Sequence, residues 1–407
     1  MSKCGWLPGM LGSLAGAALL ALAFAVSPNF RWTDAPRPSP YAGDFLQEYV
    51  GGRLVREDRA RLYDRDAFAR LQHDAALLGF SWSEDASFPP IYPPFYYLWV
   101  APLSRLDYRN AAHLWVALSV AALVAGLALT LGGAGSARAQ LGAWLAASLC
   151  YVPVMETLVS GQKGTFLLLI FAGTCRLLAL QRLVLAGALF GCAAFKPQLV
   201  LVIALTMLAK REWRFIAGMA ATGAALAAQS LFVGYGASLA WITATLHPMP
   251  QPELIARSQS WIGFARLLVG AWSGPAVLAL ALALVGATLA ALWRLLPGRL
   301  EFDSARFPIQ FAGMVLATVL VSPHLYTYDL TILVLPLCML ARELPAAPPA
   351  TLTQRRVWLV ALLLVFAMGG LSPKIATRIP VQLSSLATFA LLLVITAIPP
   401  REPTPAG

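Results

Sequence analysis

Apolar residues in this chain fall into blocks, at 7–26, 111–131, 141–158, 164–180, 183–195, 197–209, 214–233, 275–295, 307–322, 326–341, 357–371 and 380–398. The blocks lack the strict alternation of barrel strands, so they predict helices, most of them near the length that crosses a bilayer. One further segment, "IYPPFYYLWVAPL" at 91–103, is short and crowded with aromatics and prolines. Basic residues decide its placement, because Lys and Arg collect in cytoplasmic loops. If 91–103 does not cross, then Arg176, Arg182, Lys210, Arg211, Arg214, Arg294, Arg299, Arg355 and Arg356 all fall on the inner side. The pattern therefore predicts an all-α polytopic membrane protein of about twelve spans, one domain over 1–407, with both termini inside. The segment 91–106 then lies along the interface, anchored by Tyr92, Tyr96, Tyr97 and Trp99.

The first block reads as an uncleaved helix, being long enough to span and poor as a cleavage site. The long outer loop at 27–91 carries eight arginines and ten acids. Helical spacing at 44–57 and 65–79 predicts amphipathic helices on the membrane surface. The glycines Gly51 and Gly52 would let the chain turn away. Pro197 separates the blocks 183–195 and 197–209, which predicts a shallow hairpin with Lys196 at its tip.

Composition supports the membrane reading: 407 residues, 59% apolar and only 12% charged. The net charge of +11 then belongs to inner loops, not to a nucleic-acid surface. The five cysteines are scattered without metal spacing, so neither disulfide nor zinc is expected, nor any cofactor.

Polar residues gather at the outer ends of the blocks: Asp44, Glu156, "SGQKG" at 160–164, "FKPQ" at 195–198, His247, Arg257 and "SPHLYTYD" at 322–329. Isolated cations at Lys163, Lys196 and Arg257 suit a phosphate, and aromatic faces suit a sugar. A lone carboxylate, Asp44, suits a general base on an acceptor hydroxyl, since a phosphate leaves as a stable anion without an acid to protonate it. Each residue also has a plainer reading. Asp44 is a fit helix N-cap, Lys163 and Lys196 are fit to snorkel, and Gln162 is fit to cap a helix. Glu48 reads as a solvated or donor-orienting residue, His324 as part of a local turn, and Asp329 as a group that must be paired. A lipid-linked sugar transporter, or an accessory subunit that binds polyprenyl lipid, accounts for the same composition.

The segments "GDFLQEYVGGRLVRED", "YPPFYYLWVAPLSRL", "SGQKGTFLLLIFAG", "LAGALFGCAAFKPQLVL" and "SPHLYTYDLTILVLPL" occur in this order between 44 and about 340. Together they resemble glycosyltransferase family 87, which includes polyprenol-phosphate-mannose-dependent mannosyltransferases of the GT-C architecture. The resemblance implies inverting transfer of a hexose, mannose foremost, from a polyprenyl-phosphate donor to a glycolipid or glycan acceptor. It places that chemistry on the outer face of a bacterial inner membrane and makes Asp44 the base. Donor contacts would come from Lys196, Lys163, Gln162, His324, Arg257 and Tyr328, with Glu48, Tyr92 and Asp329 in support and no metal. One departure is that many relatives carry a histidine pair in the late loop, where this chain has Tyr328–Asp329 with His324 earlier.

Overall fold

The computed structural model describes residues 7–31, 36–83, 87–132, 135–246, 252–270, 274–343 and 352–397. His247 and Cys4 lie outside the described residues. Helix α1 (Leu7–Val26) leads into the first loop, which folds as α2 (Phe45–Glu57), α3 (Arg65–Gln72) and α4 (Ala75–Leu78), and α5 (Pro94–Val100) follows it. Next come α6 (Tyr108–Leu131), α7 (Gly135–Cys150), α8 (Val152–Val159), α9 (Gly164–Ala179), α10 (Leu183–Gly191), α11 (Pro197–Ala209) and α12 (Trp213–Val233). The last part holds α13 (Tyr235–Leu246), α14 (Trp261–Val269), α15 (Gly274–Leu295), α16 (Phe307–Val321), α17 (Val334–Glu343), α18 (Leu352–Ala376) and α19 (Leu383–Thr396). Among the described residues there is no strand, only two isolated bridges, Arg37–Trp82 and Ser258–Tyr326.

The apolar blocks are helical, but they are not twelve equal spans. Among the described residues α6, α12, α15 and α18 are each long and apolar enough to cross a membrane, and α7 with α8 makes a fifth if taken as one bent span. The expected run at 141–158 breaks by 78° at Tyr151. Pro153, in the first turn of α8, cannot donate to the preceding turn and so starts a new helix. The other apolar helices are shorter; the 16 residues of α9 cover about 24 Å, less than the ~30 Å hydrocarbon core. The long helices leave Leu114, Leu118, Leu278, Leu282, Leu359 and Leu363 exposed, stripes that only lipid solvates well. Helix α16 instead is buried on every side, packed by α11, α15, α17 and α19, as expected of a helix apolar all round.

The first loop differs from a surface layer. In α2 all residues from Phe45 to Gly52 are buried, and only Arg53, Arg56 and Glu57 reach the outside. Gly51 and Gly52 do not turn the chain; they stand inside the helix and let α5 approach. A Cβ on Gly51 would lie 2.1 Å from the Tyr97 ring. Helix α5 has seven residues, too few to cross. Its Tyr96 and Tyr97 are buried against protein, and only Trp99 is exposed, donating to Gln229 Oε1 at 2.7 Å. The limbs α10 and α11 meet at Lys196 as expected. They share α12 as a neighbour, but α10 also packs on α9 and α11 on α16.

The α2–α5 contact gives a direct test. Gly51→Ala forces the Tyr97 ring or the α2 backbone to move, a loss of about 1–3 kcal/mol. The thermal unfolding midpoint of the purified protein in detergent should fall; an unchanged midpoint would contradict this packing.

Candidate active site

The chain places Asp44 by a tight local turn. Ala42 and Gly43 take left-handed backbone angles, φ 57° and 59°, and the Asp44 amide donates to Ser160 O at 2.9 Å. Opposite, Gly161 is also left-handed, φ 63°, and a Cβ there would sit 2.6 Å from Ala42 O. Glycine is what allows the 160–163 loop to lie directly on the start of α2. Trp115 Nε1 donates to Gly161 O at 2.8 Å and fixes the loop to α6.

Two rungs then join the loop to α2. Asp44 occupies the N-cap position, yet its side chain makes no capping bond. Its Oδ2 instead accepts from Gln162 Nε2, while among the described residues Oδ1 has no donor. One turn further along α2, Glu48 Oε1 pairs with Lys163 Nζ, both side chains almost wholly buried at 0% and 1% exposure. Lys163 therefore does not snorkel and Glu48 is not solvated. The ammonium also faces the rings of Tyr92 and Tyr96, at 4.0 and 5.7 Å from their centroids. Asp44 and Glu48 stand i, i+4 at the start of α2, so both carboxylates face the loop that carries Gln162 and Lys163.

A second group adjoins the first. Lys196, at the α10–α11 junction, pairs with Asp329 in the 3-10 helix Thr327–Leu333 and lies 4.9 Å from the Tyr328 ring centroid. Asp329 Oδ2 accepts from the Tyr326 amide at 3.1 Å. Thr157 stitches the groups together: its carbonyl accepts from the Gln162 amide at 2.8 Å, and its hydroxyl donates to Tyr328 O at 2.9 Å. Arg257 makes the third pair, with Glu156 at 2.5 Å; the Arg257 side chain is 51% exposed. His324 is exposed, its ring edge-on to Tyr326 at 4.6 Å, and its carbonyl accepts from Ser322 Oγ at 3.0 Å. Burial pushes the Asp44 carboxyl above the usual range; the Gln162 bond and the charges of Lys163, Arg257 and Lys196 offset part of that.

Asp44, Glu48, Tyr92, Gln162, Lys163, Lys196, Arg257, Tyr328 and Asp329 thus lie in one cluster, with His324 at its outer edge, and His247 lies outside the described residues. The sequence reading gave no site role to Glu156, Thr157 or Tyr96. Glu156 carried a usable signal, since an acid inside an apolar block needs a cation; Thr157 carried none.

The Glu48–Lys163 pair makes a prediction about stability. Lys163→Ala leaves a buried carboxylate unpaired and should cost ~3–5 kcal/mol, whereas Glu48→Gln with Lys163→Met removes both charges and should recover most of it. Thermal unfolding of both variants checks this; equal losses would mean that the pair is not the source.

Known proteins bear on the chain in two ways. The model of glycosyltransferase family 87 matches residues 91–323. That range holds Tyr92, Gln162, Lys163, Lys196 and Arg257, but neither Asp44 and Glu48 before it nor His324, Tyr328 and Asp329 after it. Among solved structures, the chain is similar to ArnT from Cupriavidus metallidurans in the apo state, at 14% identity and TM-score 0.34, over 94% of this chain and 75% of that one. ArnT bound to undecaprenyl phosphate gives the same identity and TM-score, over 97% and 76%. No curated protein matches the sequence.

Proposed function

Because the chain belongs to glycosyltransferase family 87, we propose that it transfers a hexose, mannose foremost, from a polyprenyl-phosphate donor to a hydroxyl of a cell-envelope glycolipid or glycan. The reaction runs on the outer face of a bacterial inner membrane. One observation carries the role of Asp44: a carboxylate at a helix start that leaves the helix uncapped, is held through one oxygen by Gln162 and keeps the other without a donor. A capping aspartate would spend that oxygen on the helix.

In this reading Asp44 Oδ1 takes the proton of the acceptor hydroxyl. The acceptor oxygen forms a bond to the anomeric carbon on the face opposite the donor phosphate. The bond from that carbon to the phosphate oxygen breaks, and its electron pair leaves with the phosphate. The product has inverted configuration, and one carboxylate suffices because the leaving group needs no proton. Arg257 receives the phosphate, as its pair with Glu156 is half open to the outside. Lys163 and Lys196 are enclosed with carboxylates of their own, so they shape the field at Asp44 and stay where they are. The tyrosines Tyr92 and Tyr328 face those cations and line the same cluster.

Asp44→Asn should abolish transfer in proteoliposomes carrying a polyprenyl-phosphate hexose, while the unfolding midpoint stays close to wild type. Full activity in that variant rejects Asp44 as the base, and lipid-linked sugar crossing the bilayer without transfer would favour a transporter. The pH profile gives a second check. The base works only when ionised, and burial raises its pKa, so activity should fall as pH drops through a value above the ordinary aspartate range of about 4. Gln162→Leu removes a bond to the ionised form and should move that acid limb upward. An unmoved or lowered limb would contradict the arrangement.

A further inference from the structure

A second polar site lies at the far end of α11. Lys196 begins that helix and Lys210 ends it, 13 helical residues or about 20 Å away, so the two sites face opposite sides. Around Lys210 opens a cleft of about 580 Å³, lined by Lys210, Arg211, Glu212, Trp293 and Arg299 with the turn Leu296–Gly298. It holds three cations against one carboxylate. Among the described residues none of the three cations is in an ion pair within 4.0 Å; Arg299 acts on the Glu212 carboxylate at longer range, which leaves the cleft a net excess of positive charge.

Lys210 is held in place by neutral groups. Its Nζ donates to Leu296 O and, at 2.9 Å, to Gly298 O, and it lies 4.0 Å from the Trp293 ring centroid. Those carbonyls follow the C-terminus of α15, whose dipole favours a cation but does not neutralise it. Arg211 and Arg299 are exposed on the two walls. Trp213 and Trp293, 60% and 55% exposed, stand at the same end, the depth at which indoles meet lipid headgroups. From there the exposed Leu205 and Leu208 on α11 and Leu289 on α15 run inward along the helices. A concave cationic floor, tryptophans at the rim and an apolar track below it match a lipid with an anionic head.

We propose that this cleft binds the phosphate headgroup of an anionic phospholipid in the leaflet opposite the active site, with Arg211 and Arg299 on the phosphate and Lys210 beneath it. The occupant is a lipid and not free phosphate, because the tryptophans and the leucine track have no use for a soluble ion.

The test uses the full chain in nanodiscs of phosphatidylcholine with phosphatidylglycerol, reading by native mass spectrometry the lipid that stays bound after release. Wild type should retain phosphatidylglycerol over phosphatidylcholine. Arg211→Gly and Arg299→Gln should each weaken that preference roughly fivefold. Arg211 already has a left-handed φ of 61°, so glycine there removes the charge without straining the turn. Arg355→Gln with Arg356→Gln, exposed arginines on α18 outside the cleft, should leave the preference intact. Equal loss in that control, or no preference in wild type, overturns the proposal in favour of diffuse surface charge. Displacement of the lipid by millimolar inorganic phosphate, with phosphate retained in its place, would overturn it in favour of a soluble anion.

Discussion

A charge inside this helical assembly has to be matched at contact distance, and that constraint fixes much of the molecule. Glu48 and Lys163 come from a helix of the first long loop and from the turn before α9, and neither is tolerable there without the other. Lys196 and Asp329 repeat the arrangement between the α10–α11 junction and the late 3-10 helix. The first pair registers α2 against the turn at 160–164, the second holds the late 3-10 helix to the α10–α11 junction, and Thr157 joins the two through the Gln162 amide and the Tyr328 carbonyl. In this long loop of nearly balanced charge, α2 is thereby buried and tied to the helices it packs on.

The same constraint separates the cations by the work open to them. Lys163 and Lys196 are committed to carboxylates and enclosed, whereas Arg257 shares its acid at the surface. Among the carboxylates the division is similar: Glu48 and Asp329 are spent on cations, and Asp44 is supported by a neutral amide. An ion pair would have made Asp44 a weaker base; a neutral donor orients it and leaves burial to raise its proton affinity.

How far the sequence discloses this depends on the kind of signal. Helix type was legible, because block length and lack of alternation are direct consequences of a lipid solvent. The clustering of Asp44, Gln162, Lys163, Lys196, Arg257 and Asp329 was legible as well, since ionisable residues at the ends of apolar blocks have few places to go. Partner choice was not. Gln162 and Lys163 look alike as helix-end polar residues, and which of them meets which acid follows from how the 160–163 loop, with Gly161 left-handed, lies on the start of α2. The burial of α2 departs from its amphipathic pattern, since its eight consecutive buried residues include Gln47 and Glu48. Amphipathic spacing cannot distinguish a helix whose polar face meets water from one whose polar face meets a lysine and a turn. Gly51 and Gly52 misled for a related reason, as a glycine in a helix marks close approach when a neighbour is there and flexibility when it is not.

Helix α16 carries a consequence for biogenesis. It is apolar on all sides and covered by partners both earlier and later in the chain, α11 and α15 before it, α17 and α19 after it. A chain made from its N-terminus delivers α16 while two of those partners do not yet exist. Its uncovered faces then rest against acyl chains, which solvate leucine and valine about as well as another helix does. A helix covered on every side in the folded protein is therefore partly lipid-facing during synthesis, and the last helices to emerge replace lipid with protein at small energetic cost. Tolerance of waiting, as much as tight packing, is what an uninterrupted apolar surface gives it.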